Sequence, residues 1–299
     1  MGMSFPITPF GNMVTAMVTP FKADSSVDVE GAAKLASYLV DLGNNGLVVN
    51  GTTGESATTT EDEKNEVLKA VIEAVGSRAK VIAGVGSNDT AHTLMLAKDA
   101  ERLGADAILV VTPYYNKPTQ AGLIAHFTTV ADGCGLPLMM YDIPGRSGVP
   151  IEVDTMLKLA EHPRIMANKD AKNNFEAASR VITNSKLQWF SGDDILNLPL
   201  LTIGAVGCVS VVGHVVADRI SKMMGLYFDG EVAAATKMHQ ELTPVYYGVM
   251  GRMPGVMSVK AYLNLKKLPA GSPRLPLVAA DEAQVAELVA SLRAGGVEV

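Results

Sequence analysis

The sequence has few cysteines and no cluster of one charge. Only Cys134 and Cys208 occur among the 299 residues, both in apolar surroundings, which favours a reducing compartment over a disulfide framework. The net charge is −6 and lysine- or arginine-rich runs are absent, which argues against nucleic acid or an anionic membrane as partner. Residues 1–7 carry neither a basic region nor a long apolar segment. We therefore expect a cytoplasmic protein with small-molecule partners.

One long segment, residues 195–217, contains no charged side chain. A length of about 20 residues would be enough to span a bilayer. Asn197, Pro199 and Gly204 interrupt the segment, however, and such residues are typical of a helix, a turn and a strand in a globular core. The sequence therefore predicts no membrane span.

Signals for cofactors are also missing. The five histidines show no metal-ligand spacing, and residues 84–89 lack the third glycine of a dinucleotide-binding loop. Asp193 and Asp194 suit either a cation or a helix N-terminus, and the second is favoured because nothing nearby completes a coordination set. We expect neither a metal nor an organic cofactor.

The chain does contain a repeated alternation of short apolar runs and amphipathic segments. About eight such units predict a closed parallel barrel, a (β/α)8 or TIM barrel, with a doubly wound open sheet as the alternative. The predicted strands cover residues 14–19, 46–50, 80–85, 107–111, 136–141, 165–168, 187–191 and 207–211. After the last predicted strand, the chain continues with predicted helices at residues 231–250, 256–267 and 282–293. We therefore divide the chain into a catalytic barrel, 1–230, and a C-terminal helical region, 231–299.

The carboxyl ends of all barrel strands open at one mouth, where the chemistry of this architecture lies. Lys169 follows the predicted sixth strand, and burial there would lower its pKa and release a neutral amine that attacks a carbonyl carbon. Hydroxyl groups relay protons, and a guanidinium binds a carboxylate through two hydrogen bonds. The other strand ends contribute Thr52, Thr53, Tyr115, Tyr141, Arg146 and Gly192. The loops after strands seven and eight lack the basic or glycine-rich sequence of the common barrel phosphate site, so the predicted substrate is not phosphorylated.

Six segments together carry a resemblance to a known family. They are residues 16–21, 51–56, 112–118, 141–148, 169–170 and 191–194. In this order and spacing, over nearly the whole length, the chain resembles the class I aldolase superfamily of dihydrodipicolinate synthases and N-acetylneuraminate lyases, most closely the synthases. The resemblance implies a lyase of lysine and diaminopimelate biosynthesis that condenses pyruvate with L-aspartate 4-semialdehyde to 4-hydroxy-tetrahydrodipicolinate, without a cofactor.

The same resemblance assigns roles by position. Lys169 is similar to the lysine that forms the pyruvate Schiff base, Tyr141 to its proton donor and acceptor, and Thr52 and Tyr115 to the remaining relay members. In the family this second tyrosine reaches into a neighbouring subunit, which implies a homotetramer built as a dimer of dimers. Val209 resembles the residue whose backbone faces pyruvate.

Substrate binding is implied in the same way. Thr53 resembles the ligand of the pyruvate carboxylate, Gly192 belongs to the predicted substrate-binding set, and Arg146 resembles the residue that holds the carboxylate of the second substrate. Arg146 and the Thr52-Thr53 pair favour the synthases over the sialate lyases. A lyase for a sialic acid or ketodeoxy sugar acid, or a non-catalytic sensor on the same barrel, stays open as an alternative.

Two departures from the family pattern accompany the resemblance. Asn168 stands where the family usually has an aliphatic β-branched residue, and alternation along the strand should turn it away from Lys169 toward the barrel wall. Glu61 and Lys64 stand where lysine-inhibited members have histidines, and His92 where they have a glutamate. We therefore predict weak or absent inhibition by lysine, since Lys64 adds a like charge.

Overall fold

Eight short strands close into one parallel barrel in the computed structural model, which describes residues 5–299. Each strand pairs with the next in chain order, and the eighth pairs with the first. The strands are β1 Met13–Ala16, β2 Gly46–Val49, β3 Lys80–Gly84, β4 Ala107–Val111, β5 Leu138–Asp142, β6 Ile165–Asp170, β7 Gln188–Ser191 and β8 Gly207–Ser210. The predicted (β/α)8 barrel is confirmed.

The strands are apolar on both faces because both faces are buried. Val14, Val48, Ile82, Leu109 and Phe190 belong to a cluster that fills the barrel interior. The alternate side chains point outward and join a larger core between the strands and the helices. This two-sided burial explains why the strands read as continuous apolar runs.

The barrel helices are amphipathic or apolar segments whose N-termini carry side-chain caps in several cases. Thr60 and Glu63 form a capping box at the start of α2. Asp28, Asp89 and Asn174 each accept a hydrogen bond from a backbone N–H of the helix that follows. The helices are α1 Val29–Asp41, α2 Glu61–Val75, α3 Thr90–Leu103, α4 Gln120–Gly133, α5 Pro144–Ser147, α6 Val153–Leu159, α7 Phe175–Asn184, α8 Asn197–Leu201 and α9 Gly213–Phe228.

Three helices follow the barrel, as predicted: α10 Val232–Met250, α11 Gly255–Leu265 and α12 Glu282–Ala294. Helix α10 packs against both α9 and α12, so the helical region is joined to the last barrel helix. The division of the chain at residue 230 stays a prediction. Within residues 5–299, none of the helices combines the length and the apolar character needed to cross a membrane.

Strand β6 is longer than predicted. The predicted strand ended at Asn168, but the observed strand continues to Asp170. Asp142 and Asp170 are register partners, the Ala171 N–H donates to the Asp142 carbonyl, and Trp189 Nε1 donates to the Asp170 carboxylate. Lys169 therefore lies inside a strand rather than directly after one.

Candidate active site

Lys169 projects into the barrel interior beside an aromatic ring. Its register partners are Tyr141 on β5 and Phe190 on β7, and both belong to the interior cluster. The Lys169 side chain is only 5% exposed, and Nζ lies 4.1 Å from the centroid of the Tyr141 ring. Lys169 and Tyr141, both predicted to lie at the barrel mouth, are thus neighbours.

The surroundings of this pair shift both pKa values. Burial lowers the pKa of Lys169 to about 8, the carboxylate of Asp194 opposes that shift, and the positive charge of Arg146 adds to it. Burial raises the pKa of Tyr141 to about 12. At neutral pH the tyrosine keeps its proton, while a substantial minority of the lysine is the free amine. The pair therefore combines a nucleophile with a neutral proton donor.

Gly192, at the exit of β7, leaves the space that the lysine chain occupies. A Cβ on this residue would lie 3.0 Å from Lys169 Cγ and 2.9 Å from the Asp170 carbonyl oxygen. A side chain here would displace the lysine or the backbone of β6. Gly192 thus has a steric role beside Lys169.

Asp194 is a site residue whose position the sequence did not reveal. It begins the short 3₁₀ turn Asp194–Leu196, as a helix N-terminus was predicted there, but its buried carboxylate points to the exit of β8. It accepts hydrogen bonds from the backbone N–H groups of Val211 and Val212 at 2.9 and 3.0 Å, and also from Ser210 Oγ. Burial raises the pKa of Asp194, and these hydrogen bonds oppose that shift. Val209, in β8, is also buried.

The threonine turn after β2 holds its two hydroxyls in different environments. Thr53 is buried and Thr52 is exposed. The turn is fixed by the Glu55 N–H, which donates to the Thr52 carbonyl at 3.1 Å, and by Thr19 Oγ1, which donates to the Gly54 carbonyl at 2.7 Å. The backbone of the turn is therefore anchored next to both threonines.

Tyr115 and Arg146 lie on the surface of this chain. Tyr115 is 89% exposed and has a φ of +73°, at the centre of a γ-turn closed by the hydrogen bond from the Asn116 N–H to the Tyr114 carbonyl. Arg146, in α5, is also exposed. Within residues 5–299, no hydrogen bond joins the hydroxyls of Thr52, Tyr115 and Tyr141. The predicted relay is not closed inside one chain.

Asn168 points away from Lys169, into the core between strands and helices. Its register partners Met140 and Trp189 belong to that outer core. The side chain is completely buried, and both its amide nitrogen and its oxygen lack a hydrogen-bond partner in the described part of the chain. The orientation expected from alternation is found, and the polar group is left unsatisfied.

A buried amine beside a phenol at the mouth of a parallel barrel suits a lyase that acts through an imine. The chain belongs to the Dihydrodipicolinate synthetase family, whose family model matches residues 9–295. It is 56% identical over 296 residues to 4-hydroxy-tetrahydrodipicolinate synthase 2 of Streptomyces coelicolor, covering 99% of both chains. The family predicted from the sequence is confirmed.

Solved structures agree with this assignment. A dihydrodipicolinate synthase from Cyanidioschyzon merolae with lysine bound superposes with a TM-score of 0.94 at 38% identity, covering 96% of this chain and 99% of that one. A chloride-inhibited synthase from Acinetobacter baumannii complexed with pyruvate gives a TM-score of 0.92 at 34% identity, covering 97% of this chain and 100% of that one.

Proposed function

We propose that this chain condenses pyruvate with L-aspartate 4-semialdehyde to give 4-hydroxy-tetrahydrodipicolinate. The names of relatives that match nearly the whole chain bear out this predicted activity. The observation that carries the chemistry is the buried Lys169 amine, 4.1 Å from the Tyr141 ring centroid and with a pKa lowered to about 8. Such an amine is available as a nucleophile near neutral pH.

The first half of the reaction is the formation of an imine. The neutral Lys169 amine attacks the keto carbon of pyruvate, and loss of water from the carbinolamine leaves a Schiff base. Tyr141, whose high pKa keeps its proton in place, donates that proton to the departing hydroxyl and takes one back as the enamine forms. Thr52 and Tyr115 complete the relay.

In the second half, the enamine carbon attacks the aldehyde of the second substrate. The amino group of that substrate then attacks the imine carbon, which closes the ring and frees Lys169. Nothing in this sequence of steps calls for a metal or an organic cofactor, because the lysine itself activates the keto acid.

The binding residues proposed for the two substrates come from strand ends at the barrel mouth that also carries Lys169. Thr53 and the backbone at Val209 receive the carboxylate and the face of pyruvate, and Gly192 leaves room beside the lysine chain. Arg146 binds the carboxylate of aspartate semialdehyde. Its positive charge already acts on both Lys169 and Tyr141, which supports a position near the bound substrates.

Tyr115 is proposed to act in a neighbouring subunit, so that a dimer is the smallest complete catalytic unit and a homotetramer, a dimer of dimers, is the assembly. Two observations support this proposal. The side chain is 89% exposed, unusual for a large aromatic residue, and a strained positive φ holds it outward.

The free, buried thiols of Cys134 and Cys208 support the predicted reducing, cytoplasmic compartment.

Turnover of pyruvate with aspartate semialdehyde tests the proposal against the alternative lyases. We expect rapid condensation of these substrates and negligible cleavage of N-acetylneuraminate or ketodeoxy sugar acids. Arg146→Leu should raise KM for aspartate semialdehyde by about tenfold or more, corresponding to loss of a charge-assisted contact of about 1.5–3 kcal/mol, and leave KM for pyruvate nearly unchanged. Faster cleavage of a sugar acid than condensation would overturn the assignment.

A further inference from the structure

A buried ion pair connects the C-terminal helical region to the threonine turn of the site. Lys260 on α11 places Nζ 2.7 Å from Glu55 Oε1, with side chains 1% and 3% exposed. Within residues 5–299, Glu55 Oε1 has no hydrogen-bond partner of good geometry, so we describe its contact with Lys260 as an ion pair. The other carboxylate oxygen, Oε2, accepts the backbone N–H of Arg274 at 2.8 Å.

The pair is enclosed by a second set of charges. Arg274 binds both carboxylate oxygens of Glu63 on α2, at 2.8 and 2.5 Å. Lys260 Nζ and Arg274 Cζ lie 4.1 and 4.3 Å from the centroid of the same ring, that of Phe21. Two carboxylates of the barrel thus meet two cations of the C-terminal helical region around one aromatic side chain.

Glu55 is also part of the turn that carries the site threonines. Its backbone has a φ of +56°, a left-handed conformation that a non-glycine residue adopts only when its surroundings hold it there. Its N–H donates to the Thr52 carbonyl, so a shift of Glu55 moves Thr52 directly.

A buried ion pair is a poor choice for stability alone. Removing two charges from water costs several kcal/mol per ion, and a well-packed apolar pair of similar size is often equally stable. What an ion pair adds is a defined geometry between two groups. Here that geometry links α11 to the residue that follows Thr52, Thr53 and Gly54.

We propose that Lys260 and Glu55 are positioning residues: their buried ion pair fixes the Thr52–Thr53 turn in the arrangement that pyruvate binding and proton relay require. The inference rests on the proposed function. It assigns to the C-terminal helical region a direct part in the geometry of the active site.

Glu55→Gln, Lys260→Met and the double substitution test the pair, with Arg252→Met as control. Arg252 forms an exposed ion pair with Glu287 in the same helical region, so its loss should leave kinetics unchanged. The measurements are kcat, KM for pyruvate, and the number of sites trapped by borohydride in the presence of pyruvate.

We expect each single variant to lose at least tenfold in kcat per trapped site and to show a higher KM for pyruvate. The loss of transition-state stabilisation in the double variant should not exceed the sum of the losses in the two single variants. If the pair served only to stabilise the fold, the substitutions would lower the number of trapped sites and the total activity in proportion and leave KM for pyruvate unchanged. That result would overturn the proposal. Glu55→Gln, which keeps the shape of the side chain, decides the question if Lys260→Met does not fold. Absence of trapping in the unsubstituted protein would refute the proposed function instead.

Discussion

The amine of Lys169 lies over the face of the Tyr141 ring, 4.1 Å from its centroid. An aromatic face attracts the protonated amine by about 0.5–2 kcal/mol, whereas burial favours the neutral amine. Burial prevails, since the pKa of Lys169 is lowered to about 8. This balance leads directly to a prediction about pH.

Imine formation should follow the free-amine fraction of Lys169. Below about pH 8 most of the amine is protonated and cannot attack, so the rate should follow the shrinking free-amine fraction, falling about tenfold for each pH unit well below the pKa and levelling off above it. The rate of borohydride-trapped adduct formation, measured from about pH 6 to about pH 10, checks this. A profile still rising near the pKa of an ordinary lysine would contradict it.

Tyr141→Phe should separate proton transfer from amine burial. The ring and its packing remain while the hydroxyl is lost, so turnover should fall by about 10²–10⁴ while pyruvate still becomes trapped on the lysine. The comparison of steady-state turnover with adduct yield checks this. Tyr262→Phe, at a similarly buried tyrosine in α11, should retain turnover. Equal turnover in Tyr141→Phe would exclude Tyr141 as the proton donor.

Asn168→Val should stabilise the protein without changing its chemistry. The substitution removes a fully buried amide with no partner in the described residues, and places a β-branched side chain in a strand. We expect about 1–3 kcal/mol more free energy of unfolding and unchanged kcat, because the side chain points away from Lys169. Denaturant unfolding measures this. A less stable variant would show that Asn168 is satisfied in solution, for example by a water molecule.

Lysine should inhibit this protein weakly or not at all. His92 Nε2 lies 3.1 Å from Glu61 Oε1, and Lys64 Nζ donates to the Thr59 carbonyl at 2.7 Å. Lys64 thus holds a positive charge at a position where the resemblance gives lysine-inhibited members a histidine, and like charges repel. A lysine titration of turnover checks this, with Glu61→His, Lys64→His and His92→Glu combined as the comparison variant. Strong inhibition of the unsubstituted protein at low lysine would refute the prediction.

Much of the site was predictable because barrel geometry brings distant strand ends to one mouth. The apolar run before Lys169 and the phenol at the end of the fifth strand were enough to place that lysine and Tyr141 together. The end of β6 was not predictable, since the charged residues Lys169 and Asp170 are typical of a loop and only their neighbours in the fold bury them. The local sequence pattern does not show that other elements of the fold bury these polar side chains.

The long-range partners of two buried carboxylates were not predictable either. Asp194 and Glu55 are ordinary acidic residues in sequence, and their partners lie on other elements: the turn after β8 for Asp194, and α11 for Glu55. No periodicity relates these positions. Such pairs become visible only when the fold brings the elements into contact.

Mapping the borohydride-trapped pyruvate adduct tests the central claim most directly. The protein is reduced in the presence of pyruvate, digested, and searched by mass spectrometry for a lysine that carries one reduced pyruvate. The adduct should lie on Lys169, persist in Lys172→Arg, and disappear in Lys169→Met together with turnover. An adduct on another lysine, or turnover that survives Lys169→Met, would contradict the account.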